Sequence, residues 1–175
     1  GGNLGAGEVA RAAPDGYTWL WGTDTLVTVN PHVYKRLGFK VDDLTRGRKV
    51  AIFGLPGAFT PTCSAKHVPS YVQNIDKLKA KGVADVICMS VNDAFVMGAW
   101  AREQKTGGKV RMMGDGSAAY TKALGLEFDL TAKGLGMRCQ RFSMLVDNGV
   151  VKVLNIEAPG KYEISDAETL LKQMG

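Results

Sequence analysis

The sequence has few cysteines, only two histidines, no long apolar run and no block of like charge. No stretch approaches the roughly 18 consecutive apolar residues that a membrane-spanning helix requires, so an integral membrane protein of that kind is excluded. Cysteine occurs three times in 175 residues, at Cys63, Cys88 and Cys139. An odd number at such wide spacing fits neither a secreted disulfide framework nor a zinc site of the C-x-x-C type. Reduced, intracellular thiols fit it, and a cytoplasmic location is expected. With so few histidines and scattered cysteines no metal-ligand set is in view, and neither a metal nor another cofactor is expected. Internal repeats and low-complexity tracts are also missing.

The charge is positive but diffuse. Of the net +5, residues 1–45 contribute four basic against five acidic side chains, so the excess lies in the remainder. There the lysines and arginines are spread along helix-like segments and form no basic face, which argues against a nucleic-acid partner.

What the chain does have is the composition of one globular domain, 45% hydrophobic and 22% charged, with enough length to bury a core unaided. From Arg48 onward strand-like and helix-like segments alternate. KVAIFGLP reads as a buried strand. The stretch from about Cys63 to Lys81 places Val68, Tyr71, Val72, Ile75 and Leu78 on one helical face, with Gly82 as its stop and Pro69 predicting a kink. ADVICMSVN is a second strand, AFVMGAWAREQ a second helix and KVRMMGD a third strand. Ser117 to Gly125 suggests a further helix, followed by a glycine-rich connection through Gly134 and Gly136. RFSMLV and VVKVLNI flank Asp147-Asn148-Gly149 as a hairpin with a type I′ turn. Ser165-Asp166-Ala167-Glu168 reads as a capping box that opens a last helix. A parallel βαβ unit, an antiparallel hairpin and a C-terminal helix, in that order, predict an α/β protein of thioredoxin-like fold, a central mixed sheet flanked by helices.

This order puts Cys63 where the first strand hands over to a helix, an end of an α/β sheet at which functional residues gather. A thiol reacts as its thiolate, and an ordinary cysteine with a pKa of about 8.5 is only slightly ionised at neutral pH. The unpaired N–H groups and dipole of a helix start favour an anion there. Thr60 offers a hydroxyl nearby, Pro61 stiffens the loop, and Arg138 and Arg141 in GMRCQRFSM are both candidates for a fixed positive charge. His67, one turn after Cys63, raises a Cys–His hydrolase reading. No orienting carboxylate is suggested for it, and it reads as a bystander. Two ligands, Cys63 and His67, do not make a metal site. Met89, Met97, Met112, Met113, Met144 and Trp100 read as core.

PGAFTPTC, with P-x-x-x-T-x-x-C inside it, resembles the active-site signature of peroxiredoxins of type II. The likeness runs on through CSAKHVPSYV, LKAKGVADVICMSVNDAFVMGAW, KVRMMGDGSAAYTKALGLEFDL and RFSMLVDNGVVKVLNIE, over residues 46–175. It implies a thiol peroxidase acting on hydrogen peroxide and alkyl hydroperoxides. Cys63 would attack the peroxide and become a sulfenic acid, Thr60 would bind peroxide oxygen and Arg141 would stabilise the thiolate. Pro56, Gly57, Thr62 and Arg138 would complete the substrate pocket, with Pro56 shielding the sulfur. Mammalian relatives carry a resolving cysteine where this chain has Ser165. Cys88 matches the second cysteine of plant type II proteins but lies in a buried strand, and Cys139 is a further secondary thiol. The resemblance therefore implies a one-cysteine cycle with glutathione, glutaredoxin or thioredoxin as reductant. It also implies a homodimer contact through Pro56 to Phe59 and Ala94 to Met97.

Residues 1–45 depart from that family. Their N-x-G-A-x-x-V-A-R-A-A-P-D-G-Y-T and N-P-H-x-Y stretches resemble a fragment of the Bug family of tripartite tricarboxylate transporter binding proteins. They form an N-terminal segment, an atypical α/β extension ahead of the domain at 46–175. A peroxiredoxin scaffold disabled by that exchange, or a non-enzymatic binding module, is the alternative function.

Overall fold

A computed structural model describes residues 44–175. The segment 1–45, and any α/β extension it forms, lies outside the described residues except for Leu44 and Thr45. Within them the expected architecture is found: a five-stranded mixed sheet flanked by helices, with a two-stranded ribbon beside it.

β1 is Lys49–Leu55, β2 Asp85–Ser90, β3 Arg111–Gly114, β6 Phe142–Asp147 and β7 Val150–Ile156, arranged in the order β3-β2-β1-β6-β7. β1 runs parallel to β2 and antiparallel to β6, so the central strand joins the βαβ half to the hairpin half. Successive β1 residues face opposite sides. Ala51, Phe53 and Leu55 enter one core, and Val50 and Ile52 enter the other. With both faces covered, β1 reads as a continuous apolar run.

The first core is closed by α1 (Val68–Gln73), α2 (Ile75–Ala80), α3 (Ala94–Glu103) and α5 (Ala167–Gln173), through Tyr71, Leu78, Trp100 and Leu170. The second is closed by α4 (Ala119–Ala123) and by the ribbon of β4 (Glu127–Leu130) and β5 (Gly136–Cys139), with Leu126, Cys139 and Phe142 buried in it. Full burial of an aliphatic or aromatic side chain of this size contributes about 1.5–3 kcal/mol, so these two layers supply most of the drive to fold. Gly54 is required by packing: a Cβ there would sit 2.1 Å from the Phe142 ring.

Several local expectations are corrected. The helix foreseen from Cys63 to Lys81 is three pieces. Cys63–His67 is a π-helical turn, in which the Val68 N–H reaches back to the Cys63 carbonyl, and Asn74 separates α1 from α2. Pro69 lacks an N–H, and the wide turn immediately before it absorbs the disruption that reads in sequence as a kink. The glycine-rich connection after α4 is not a plain loop, because β4 and β5 pair across it. The cap of α5 is Asp166, whose carboxylate accepts from Thr169 N at 2.9 Å, and Ser165 is used elsewhere. The type I′ turn stands, with Asn148 and Gly149 at φ 48° and 77°.

Candidate active site

Strand register brings the site together. Gly54 at the end of β1 pairs with Phe142 at the start of β6, so the residue before β6, Arg141, lies level with the loop that leaves β1. That loop, residues 56–60, turns through Phe59 at φ 61°, a left-handed conformation uncommon outside glycine, and enters the helix that carries Cys63. Seventy-eight residues apart in sequence, Arg141 Nη2 donates to Cys63 Sγ at 3.5 Å. The guanidinium is a fixed positive charge beside the sulfur and, being permanently protonated, does not serve as a proton donor. The start of the helix adds its own partial positive charge, with Pro61 and Thr62 already helical and Ser64 N donating to the Thr60 carbonyl at 3.0 Å.

Arg141 is held by its second nitrogen. Nη1 donates to His67 Nδ1 at 3.0 Å, while His67 Nε2 lies 3.1 Å from the Ser165 carbonyl. A carbonyl only accepts and a guanidinium only donates, so the imidazole carries its proton on Nε2 and is neutral. Burial first, and then the charge of Arg141, push its pKa down to about 3, against the opposing pull of Ser165 and Asp166. His67 is therefore not a bystander. It is the acceptor that aims the cation, a role that sequence spacing hid because its partner, Arg141, comes from the link between β5 and β6. The guanidinium also lies 5.5 Å from the centre of the Tyr162 ring, itself 5.1 Å from the imidazole.

Thr60 donates its hydroxyl proton to the Gly57 carbonyl at 2.8 Å, not to the sulfur, which leaves its oxygen lone pairs for an incoming donor. Pro56, Thr60, Thr62 and Arg141 all line a cavity of about 430 Å³ that extends past Phe128, Leu135 and Pro159. Arg141 thus belongs to both the cavity wall and the sulfur. Gly57 and Arg138 lie outside the wall. Arg138 donates to the carbonyls of Leu135 at 2.8 Å and Val91 at 3.3 Å, and it leaves only 3.2 Å for a Cβ at Gly57. It props the loop from behind.

The other two thiols are sealed. Cys88 sits in the middle of β2, and burial raises its pKa well above the ordinary value. Cys139 lies on the opposite face of the sheet from Cys63, and burial pushes its pKa up to about 12. All three cysteines are free. Among the described residues no group of three or more histidine, cysteine or acidic side chains is placed to hold a metal, and no helix is long and apolar enough to cross a membrane.

A thioredoxin-like sheet with a lone cysteine at a helix start and an arginine on its sulfur defines a class of thiol-based redox domain. Comparison with known families matches residues 38–171 to Redoxin. The chain is 48% identical over 167 residues to Peroxiredoxin-2C of Oryza sativa subsp. japonica, an alignment covering 95% of this chain and 97% of that protein. Among solved structures it is similar to reduced Prx3 in complex with hydrogen peroxide from Vibrio vulnificus, with 51% identity and a TM-score of 0.74 over 77% of this chain and 86% of that one. It is also similar to a putative thioredoxin reductase from Burkholderia cenocepacia, with 61% identity and a TM-score of 0.75 over 75% and 78% of the two chains. The chain belongs to the peroxiredoxins, within the Redoxin family.

Proposed function

We propose that the chain is a thiol peroxidase that reduces hydrogen peroxide and alkyl hydroperoxides at Cys63. The observation that carries this reading is the Arg141 guanidinium, which lines the cavity and lies 3.5 Å from the buried Cys63 Sγ. The thiolate attacks one peroxide oxygen and supplies two electrons. The O–O bond breaks, water or an alcohol leaves after taking up a proton, and Cys63 becomes a sulfenic acid. Arg141 stabilises the charge that moves from sulfur to the leaving oxygen, and Thr60 accepts from the peroxide O–H. Pro56 and Thr62 border the approach.

Recycling falls to an external thiol, because Cys88 and Cys139 are sealed and Ser165 is no thiol. One thiol attacks the sulfenic sulfur and releases water, and a second resolves the mixed disulfide to regenerate Cys63. Glutathione, with glutaredoxin, suits a cycle of this kind, with thioredoxin as the other candidate, and a cytoplasmic setting would keep such a donor reduced. Phe59 and Phe95, 52% and 61% exposed, would supply the apolar face of a homodimer. Hydroperoxide consumption with glutathione and glutaredoxin, compared with Cys63→Ser, tests the reading. Activity confined to the parent supports it, and equal performance of the two proteins means a disabled scaffold or binding module.

A further inference from the structure

Glu157 is a charged side chain in a place that peroxide chemistry does not itself require. It follows β7 directly and is 5% exposed. Its Oε1 accepts from Glu163 N at 2.7 Å, Ile164 N at 2.8 Å, Ser165 N at 2.9 Å and Ser165 Oγ at 2.8 Å. Its own N–H donates to the Arg141 carbonyl at 2.9 Å. One residue therefore holds the backbone of Arg141 and, through four donors on one oxygen, the loop that ends at Ser165.

That loop leads back to the same arginine. The Ser165 carbonyl receives Tyr71 Oη at 3.0 Å and His67 Nε2 at 3.1 Å, and His67 Nδ1 receives Arg141 Nη1 at 3.0 Å. Displacement of the Ser165 carbonyl would release the imidazole to turn or to move its proton to Nδ1. An N–H would then face the guanidinium and push it off the sulfur. Burial alone would raise the pKa of Glu157, and the N–H donors more than offset that, leaving it below the usual carboxylate range.

We propose that Glu157 is a positioning residue for Cys63: by clamping the 163–165 loop it fixes His67 as an acceptor, and His67 in turn aims Arg141 at the sulfur. The proposal rests on the peroxidase reading for its purpose, but its geometry is testable without turnover. In metal sites the loss of an ordered outer partner commonly costs a factor of about ten or more, and the same order is expected for a partner that aims Arg141.

The test uses the full chain and two isosteric comparisons. The first readout is the histidine ¹⁵N spectrum, which is tractable because the chain has only two histidines. The second is the rate at which iodoacetamide alkylates Cys63 at pH 7, followed by peptide mass, and the third is the hydroperoxide kcat and KM. The parent should show His67 as the Nε2–H tautomer. Glu157→Gln should lose the single tautomer and alkylate about tenfold more slowly, with kcat falling further than KM rises. Asparagine and leucine leave similar space at position 67, but only asparagine keeps an acceptor. His67→Asn should therefore retain most of the alkylation rate that His67→Leu loses. An Nδ1–H tautomer in the parent, equal rates for the Asn and Leu variants, or an unchanged alkylation rate in folded Glu157→Gln would overturn the proposal. If the parent consumes no peroxide while these alkylation differences hold, the peroxidase reading fails and the positioning role stands.

Discussion

The two faces of the central sheet bury their cysteines to the same degree and surround them differently. Cys63 on one face is 1% exposed and Cys139 on the other is 0% exposed, so accessibility in the resting chain does not separate them. Around Cys139 lie Val50, Ile52, Ile87 and Phe142, and burial keeps its thiol protonated. Around Cys63 lie a helix start and an arginine tied to a neutral histidine. Cys88 sharpens the contrast, because it shares the core of Cys63 yet sits in mid-strand without a cation. A buried thiol becomes a candidate nucleophile here through the helix start and the arginine brought to it, not through exposure.

The comparison breaks most severely if the cation is removed. Arg141→Gln should slow hydroperoxide consumption by about a hundredfold, the scale of losing one preorganised charge-stabilising donor. Initial rates against the parent measure this. A loss under about threefold would mean that Arg141 is not what sets the two faces apart.

A smaller effect should appear in stability. The groups facing His67 are Arg141, Tyr71, Tyr162 and Asp166. The native imidazole stays neutral down to about 3, whereas its ordinary value is 6.5. Between those values the unfolded chain binds the extra proton, so the stability that His67 contributes is fully present above the upper value. It falls as pH drops, by at most about 1.4 kcal/mol per pH unit. Urea midpoints should therefore decline more steeply on acidification in the parent than in His67→Asn. Equal slopes would contradict a buried neutral imidazole. The smallest effect is expected from Cys88→Ser, which should leave glutathione-supported turnover largely intact, and its complete loss would sink the one-cysteine cycle.

Much of the fold and part of the site are legible in the sequence. Apolar runs and glycine stops locate β1, β2, α3 and the β6–β7 hairpin, and the P-x-x-x-T-x-x-C motif marks Cys63 as the candidate nucleophile. The residues alone leave Arg141 and Arg138 as two candidates, the resemblance favours Arg141, and the pairing of Gly54 with Phe142 explains why Arg141 is the one that reaches the sulfur. What stayed hidden has a common physical cause: dependence on partners distant in sequence. His67 gained its role from Arg141 and Ser165, and Glu157 gained its role from a loop that no periodicity reports. The β4–β5 ribbon was lost because four-residue strands split by glycines carry too little alternation to stand out. Ser165 reads as a cap because Glu168 follows it three residues on, but its hydroxyl is bound by Glu157 and the cap is Asp166.

The central claim is that one thiol of three performs the chemistry. Exposing the reduced chain to one equivalent of hydrogen peroxide in the presence of dimedone, followed by peptide mass analysis, tests it directly. The account predicts a dimedone adduct on Cys63 with Cys88 and Cys139 unmodified. An adduct on either of those two, or a disulfide joining Cys63 to one of them in place of the adduct, would contradict it.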